Sequence, residues 1–218
     1  MKKHYISIVM VVIFLSLFPS LLRPQQADIR KLNWGMPFDQ VQRIENLKGE
    51  FYKDEELFGT KVEVLFGCDM KGLYSVTYST QEKFFADQAN KMLQKKYGAP
   101  KTSLDYGFLL RSKDILKSYP DTVIPVFEKG TFFKLNENPE IPMEEKKVIR
   151  VGLTKRSIWE YGNTVVLLLN SVDGAVLSYY SKPYYEESKK NFTDFMTELK
   201  RKVSIAPPKK QTDDGEKF

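Results

Sequence analysis

The sequence predicts an α+β fold: an antiparallel sheet with amphipathic helices packed on one face, loosely repeated as two helix-hairpin-helix units. Three observations predict it. Leu73 to Tyr78 alternates in the manner of a half-buried strand rich in aromatic and β-branched residues. A helix with a single apolar stripe follows at once, so helix lies on sheet. The same order returns near the C terminus, where a set of strands leads into a second long amphipathic helix.

Within Leu73 to Pro100, the alternation puts Tyr74, Val76 and Tyr78 on one face and Leu73, Ser75 and Thr77 on the other. Ser79 stands three residues before Glu82, the spacing of a capping box, which predicts that the helix begins there. Phe85, Ala89, Met92, Leu93 and Tyr97 then recur on one side of the helix. Gly98 suits the left-handed C-terminal position and Pro100 prevents resumption.

At the beginning of the chain, Lys2 and Lys3 precede an apolar run from Tyr5 to Leu22. This pattern predicts export, with residues 1–27 acting either as a cleaved signal peptide or as an N-terminal membrane anchor. Small residues are poorly placed for cleavage after Ser20 or Ala27, and the run is close to the length that spans a bilayer, so both readings stand. The expected location is periplasmic or secreted in the first case and the cytoplasmic membrane in the second. No cysteine closely follows the run, which excludes a lipoprotein anchor.

Charge is a weaker signal than the pI of about 9.1 suggests. Removing Lys2, Lys3 and Arg23 from the 34 basic residues of the whole chain leaves 31 against 28 acidic ones from Asp28 onward. Basic pairs such as Lys95-Lys96, Lys146-Lys147 and Lys189-Lys190 are interspersed with carboxylates, the pattern of a solvated mixed surface with no nucleic-acid partner. Residues 28–203 are expected to form the α+β domain, with 28–100 and 101–203 as its halves. The polar segment 204–218, with Pro207-Pro208, is expected to be disordered.

The domain opens with Trp34-Gly35-Met36-Pro37-Phe38-Asp39-Gln40-Val41. Pro37 belongs in the first turn of a helix and Asp39 near its positive end, predicting a helix from about Pro37 to Leu47 with Phe38, Val41, Ile44 and Leu47 inward. Trp34 should pack over its start. Gly35 to Val41 resembles the Gly-Met-Ser/Thr-x-x-Gln-Val opening of exported αββ domains of the BamE (SmpA/OmlA) type and related bacterial envelope proteins, with Pro37 in the place of their Ser or Thr. Phe58-Gly59-Thr60 and its hairpin extend the likeness. What the resemblance implies is an envelope protein that acts by binding another envelope component.

Farther along, Lys61 to Phe66 alternates as a strand, and Gly67 to Gly72 supplies a turn. Tyr106 to Leu110, Val123 to Phe127 and Thr131 to Leu135 read as short strands separated by proline-bearing links, with Pro120, Pro125, Pro139 and Pro142 barring central pairing. Ile149, Val151 and Leu153 alternate and open an antiparallel meander that continues through Ile158 to Tyr161, Thr164 to Leu169 and Ala175 to Tyr180. Asn163 and Asp173-Gly174 mark its turns. Val165 to Leu169, apolar throughout, should be the most central strand. Pro183 begins the second helix, with Tyr185, Phe192, Phe195, Met196, Leu199 and Val203 at helical spacing.

Chemistry is limited by what the chain lacks. The one histidine, His4, lies in the export segment, which removes Ser-His, Cys-His and His-metal plans from the rest. Cys68 is the only cysteine, so its readings are a small residue near a turn or an intermolecular disulfide. No phosphate loop or calcium loop is present, and no cofactor or metal is expected. Carboxylate runs such as Asp54-Glu55-Glu56 and Glu144-Glu145 are material for glycoside hydrolysis, and a Lys-Ser arrangement is the other route to an enzyme. The leading expectation is therefore a non-enzymatic envelope protein that binds another envelope component through its sheet face or edge, with Trp34, Trp159, Tyr179 and Tyr180 as candidate partner-binding residues. A membrane-tethered assembly or structural factor with an uncleaved N-terminal helix is the alternative, and a carboxylate-dependent hydrolase the third reading.

Overall fold

Two three-stranded meanders meet edge to edge in the computed structural model, which describes residues 29–130, 132–171 and 174–205. The first comprises β1 (Tyr52–Leu57), β2 (Thr60–Asp69) and β3 (Gly72–Thr80), preceded by α1 (Phe38–Glu45) and followed by α2 (Lys83–Tyr97). The second comprises β5 (Arg156–Tyr161), β6 (Thr164–Ser171) and β7 (Gly174–Ser181), followed by α8 (Lys182–Ile205). Between them lie the short β4 (Lys101–Ser103) and a helical layer of α3 (Tyr106–Arg111), α4 (Lys113–Ser118), α5 (Pro120–Lys129), α6 (Phe133–Glu137) and α7 (Met143–Leu153). The strands form one antiparallel sheet in the order β1-β2-β3-β7-β6-β5-β4. The α+β class is as the sequence predicts.

Alternation along β6 assigns the two faces. Val166, Leu168, Leu177 and Trp159 lie under α2, where Phe85, Ala89 and Leu93 are buried, and share one core with Val62, Val64 and Val76. Val165 and Leu167 turn the other way, against Tyr180 of β7 and Tyr185 of α8. Beyond them the helical layer has its own core of Leu109, Leu116, Val123, Val126, Ile149 and Phe192. Helices therefore cover β5–β7 on both faces. Over β1–β3 only one face is filled, by α1 and the segment from Ile29. Val165 to Leu169 is buried throughout, as its all-apolar composition requires, although β7 holds the central place because β3 pairs with it.

Several local expectations are corrected. The pieces read as strands at Tyr106 to Leu110, Val123 to Phe127 and Thr131 to Leu135 fall largely in helices α3, α5 and α6. Two of the prolines mark helix starts instead of blocking strands, Pro120 opening α5 and Pro142 capping α7 with Glu144 and Glu145 in its first turn, while Pro125 lies inside α5. Ile149 to Leu153 is also helical, burying Ile149, Gly152 and Leu153 at i, i+3, i+4 spacing, so the meander starts at Arg156. An added strand, β1, precedes the expected hairpin and makes the first unit a meander. It joins β2 through Phe58 and Gly59, both at positive φ, as a two-residue hairpin requires.

Ser79 is no cap. It pairs within β3, and α2 starts at Lys83 with Glu82 at its N-cap and no side-chain cap bond. In α1 the inward positions are Val41 and, just beyond the helix, Leu47, while Ile44 is exposed and Glu45 is buried. Glu45 is held there by Arg30 at 3.0 Å and Lys53 at 2.7 Å. Cys68 lies in the end of β2, half-buried, and burial pushes its thiol up to about 11. Among the described residues no helix is long and apolar enough to cross a membrane. The run Tyr5 to Leu22, Asp173 and the chain from Ala206 lie outside the described residues, and α8 itself continues through Ser204 to Ile205.

Candidate functional site

A cleft of about 430 Å³ opens where the two meanders part, at the end of the sheet shared by the β2–β3 turn and the start of α8. Its construction begins with two glycines. β7 turns into α8 after Ser181, leaving the end of β3 without a strand neighbour. Trp34 to Met36 takes that place: the Gly35 amide donates to the Leu73 carbonyl at 2.9 Å, and the Leu73 amide donates to the Met36 carbonyl at 2.9 Å. A Cβ at Gly72 would come within 2.3 Å of the Gly35 carbonyl oxygen, so only glycine permits this approach. The Gly-Met-Pro opening is thereby stapled to the sheet.

Next to it a β-bulge sets the aromatic wall. Gly67 pairs with Ser75 and Cys68 with Leu73, leaving Tyr74 as the extra residue. The bulge sends Leu73 into the core with Val76, contrary to simple alternation, and turns Tyr74 onto Tyr184 of α8. The two rings stack at 4.1 Å with planes 16° apart. Burial and the neighbouring Tyr184 phenol raise the Tyr74 pKa, against the pull of Arg111. Trp34 also lines the cleft, its indole N–H donating to Thr164 Oγ1 at 3.0 Å.

The rim is polar. Asn163 and Asn191 stand exposed at the mouth, and neither side-chain amide makes a hydrogen bond among the described residues. Lys71 reaches Glu187 at 3.5 Å, and its amide donates to Asp69 at 2.7 Å in the turn. Asp69 and Glu187 are the carboxylates of this cleft, both exposed, without the apolar enclosure that a proton-donating acid needs. The acidic runs singled out in sequence lie elsewhere: Glu55 is bound by Arg30, and Glu144 and Glu145 begin α7.

Compared with protein-family models, curated proteins and solved structures, the chain matches none.

Of the four aromatic residues proposed from sequence, the structure brings one to the cleft. Trp34 lines it, half-buried. Trp159 is 3% exposed under α2, with its N–H donating to the Gly98 carbonyl. Tyr180 is fully buried beneath α3, where its phenol receives a long 3.5 Å contact from Arg111. Tyr179 is half-buried on the α2 side and meets Tyr78 edge-on. The residues that sequence reading missed are Tyr74, Tyr184, Asn163 and Asn191. Tyr74 was hidden by a bulge that alternation does not reveal, and nothing local ties it to Tyr184.

Outside the cleft, the face of β1–β3 that lacks helices exposes Tyr52 and Leu65 as a cross-strand pair, at 46% and 45%. Asp54, Glu56, Lys61 and Glu63 surround them on the same face. Among the described residues no group of three or more His, Cys, Asp or Glu is placed to hold a metal ion.

Proposed function

We propose that this chain is an exported protein that works in the cell envelope by binding another envelope component, without chemistry of its own, and that the cleft between Trp34 and Tyr184 is its contact site. Export rests on Lys2-Lys3 and the apolar run Tyr5 to Leu22. The observation that carries the binding role is the unfilled seam between the meanders, an aromatic-walled cleft with uncommitted amides at its mouth. Such concave sites with a few placed polar groups are where small ligands and side-chain anchors bind. The bare face of β1–β3, with Tyr52 and Leu65, offers an adjoining surface.

The tethered form of this reading has its own support. Ile29 and Leu32 are buried in the core, so only residues 23–28 separate the apolar run from the folded body, about 20 Å at full extension. A retained anchor would hold the body against the membrane surface.

Intact mass of the natively expressed protein in membrane and soluble envelope fractions, combined with photo-crosslinking from position 191, tests the proposal. Expected are an envelope location and a crosslinked envelope component that is absent when the crosslinker sits at Lys91 on α2. Recovery of full-length protein in the cytoplasm would overturn it. Full-length mass confined to the membrane selects the tethered form.

A further inference from the structure

The geometry points to a neutral saccharide as the ligand of the cleft, an inference that rests on the binding role proposed above. Sugars present two kinds of surface at once: C–H faces that pack on aromatic rings, and neighbouring hydroxyls that pair with planar side chains. The cleft provides both. Trp34 is pinned by its N–H bond to Thr164, and Tyr184 stacks on Tyr74 at 4.1 Å and lies near-parallel to Tyr180 at 6.0 Å, so each ring is fixed before anything binds. Asn163 and Asn191 each present an amide donor and an acceptor with no partner among the described residues.

Competing ligand chemistries fit less well. The Lys71 ammonium is paired with Glu187 at the rim and Asp69 adds a second carboxylate beside it, so among the described residues a phosphate or other strong anion meets no unpaired cation lining the cleft. An extended peptide adding as a strand needs unpaired backbone groups, but those of Leu73 are taken by Gly35 and Met36. Recognition therefore falls to side chains, as it does for a hydroxyl-rich ring. A lipid tail offers nothing for the two exposed amides at the mouth to bond.

The test uses the full chain in a neutral detergent that carries no sugar headgroup. Tryptophan emission, to which Trp34 contributes from the cleft and Trp159 from the core, is followed while a β-linked glucose tetramer and a β-linked N-acetylglucosamine tetramer are titrated separately. Trialanine and inorganic phosphate serve as comparison probes. Expected is a saturable change with at least one tetramer and none with the comparison probes. Asn191→Ala and Asn163→Ala, both at exposed positions, should each weaken binding about tenfold while leaving the thermal transition in place. No saturable change with either tetramer up to about 10 mM would overturn the inference, as would undiminished affinity in both variants or a response to trialanine or phosphate instead. The two failures are separable: a cleft that crosslinks an envelope component yet ignores both tetramers sinks the saccharide and leaves the binding role. Saccharide binding by a chain retained in the cytoplasm does the reverse.

Discussion

Arg156 Nη1 lies 2.7 Å from Asp105 Oδ2 with both side chains 1% exposed, an ion pair fully enclosed between the sheet and α3. The other carboxylate oxygen, Oδ1, accepts the Phe108 amide at 2.9 Å and caps that helix, whereas the Arg156 Nε has no hydrogen-bond partner among the described residues. Removing one member leaves a buried charge without compensation. Asp105→Ala should therefore cost about 4 kcal/mol, and Asp105→Ala with Arg156→Met should recover much of it. Urea unfolding of the parent chain and the two variants checks this; equal losses in the single and double variants would show that the cap, not the charge, sets the cost.

A second charged group reports on pH. Arg30 donates to both oxygens of Glu55 at 2.6 Å and also binds Glu45. Its guanidinium holds the Glu55 carboxyl at about 2, well below the usual carboxylate range. Because the folded pKa is depressed, this stabilisation is present above about 4.5 and is lost as pH falls through about 2. Arg30→Met should flatten the acid limb of the stability curve and cost about 3 kcal/mol near neutrality, since Glu45 would keep only Lys53. Glu55→Gln, at a partly exposed site, should cost about 1 kcal/mol.

At the alkaline end, burial raises the phenols of Tyr179, Tyr180 and Tyr185 above the ordinary value of 10.0. The unfolded chain then loses protons that the folded one keeps, so stability declines as pH rises past 10. Near-ultraviolet titration should show the exposed tyrosines ionising first and the buried ones only together with unfolding. A single reversible step for all twelve would contradict this burial.

Gly72→Ala tests the staple that builds the cleft. Both Gly72 and Gly49 have positive φ, but only at Gly72 would a Cβ strike backbone, the Gly35 carbonyl at 2.3 Å. Gly49→Ala meets nothing within 4 Å and carries backbone strain alone. The Gly72 variant should lose about 2 kcal/mol more than the Gly49 one and should speed hydrogen exchange at the Gly35 and Leu73 amides. Unchanged exchange at those amides would mean that the segment is held by other contacts.

How much of this was legible follows from particular residues. Thr60 to Asp69 buries alternate side chains for most of its length, and the stop at Gly98, with its amide bonded to the Gln94 carbonyl, lies where sequence puts it. The α3–α7 layer was misread because Tyr, Phe, Val and Ile favour strands by propensity, while the apolar spacing that makes them helical is spread over segments of five to eleven residues. β1 is not legible as a strand because Lys53, Asp54, Glu55 and Glu56 are all charged and show no apolar alternation. As an edge strand its charges alternate, Glu55 toward Arg30 and Asp54 toward solvent.

The sequence by itself determined the α+β class, the strands with clear period-two burial, both long helices and the stop of α2 at Gly98, and the apolar N-terminal run, since each depends on interactions within a few residues. Tertiary structure alone decided the β3–β7 pairing, the helices on both faces of β5–β7, the Arg156–Asp105 and Arg30–Glu45–Glu55 groups, and the cleft of Trp34, Tyr74 and Tyr184. Those depend on which distant segments meet. Period and propensity describe a segment's own faces, but the partner that covers each face is chosen by packing over the whole chain.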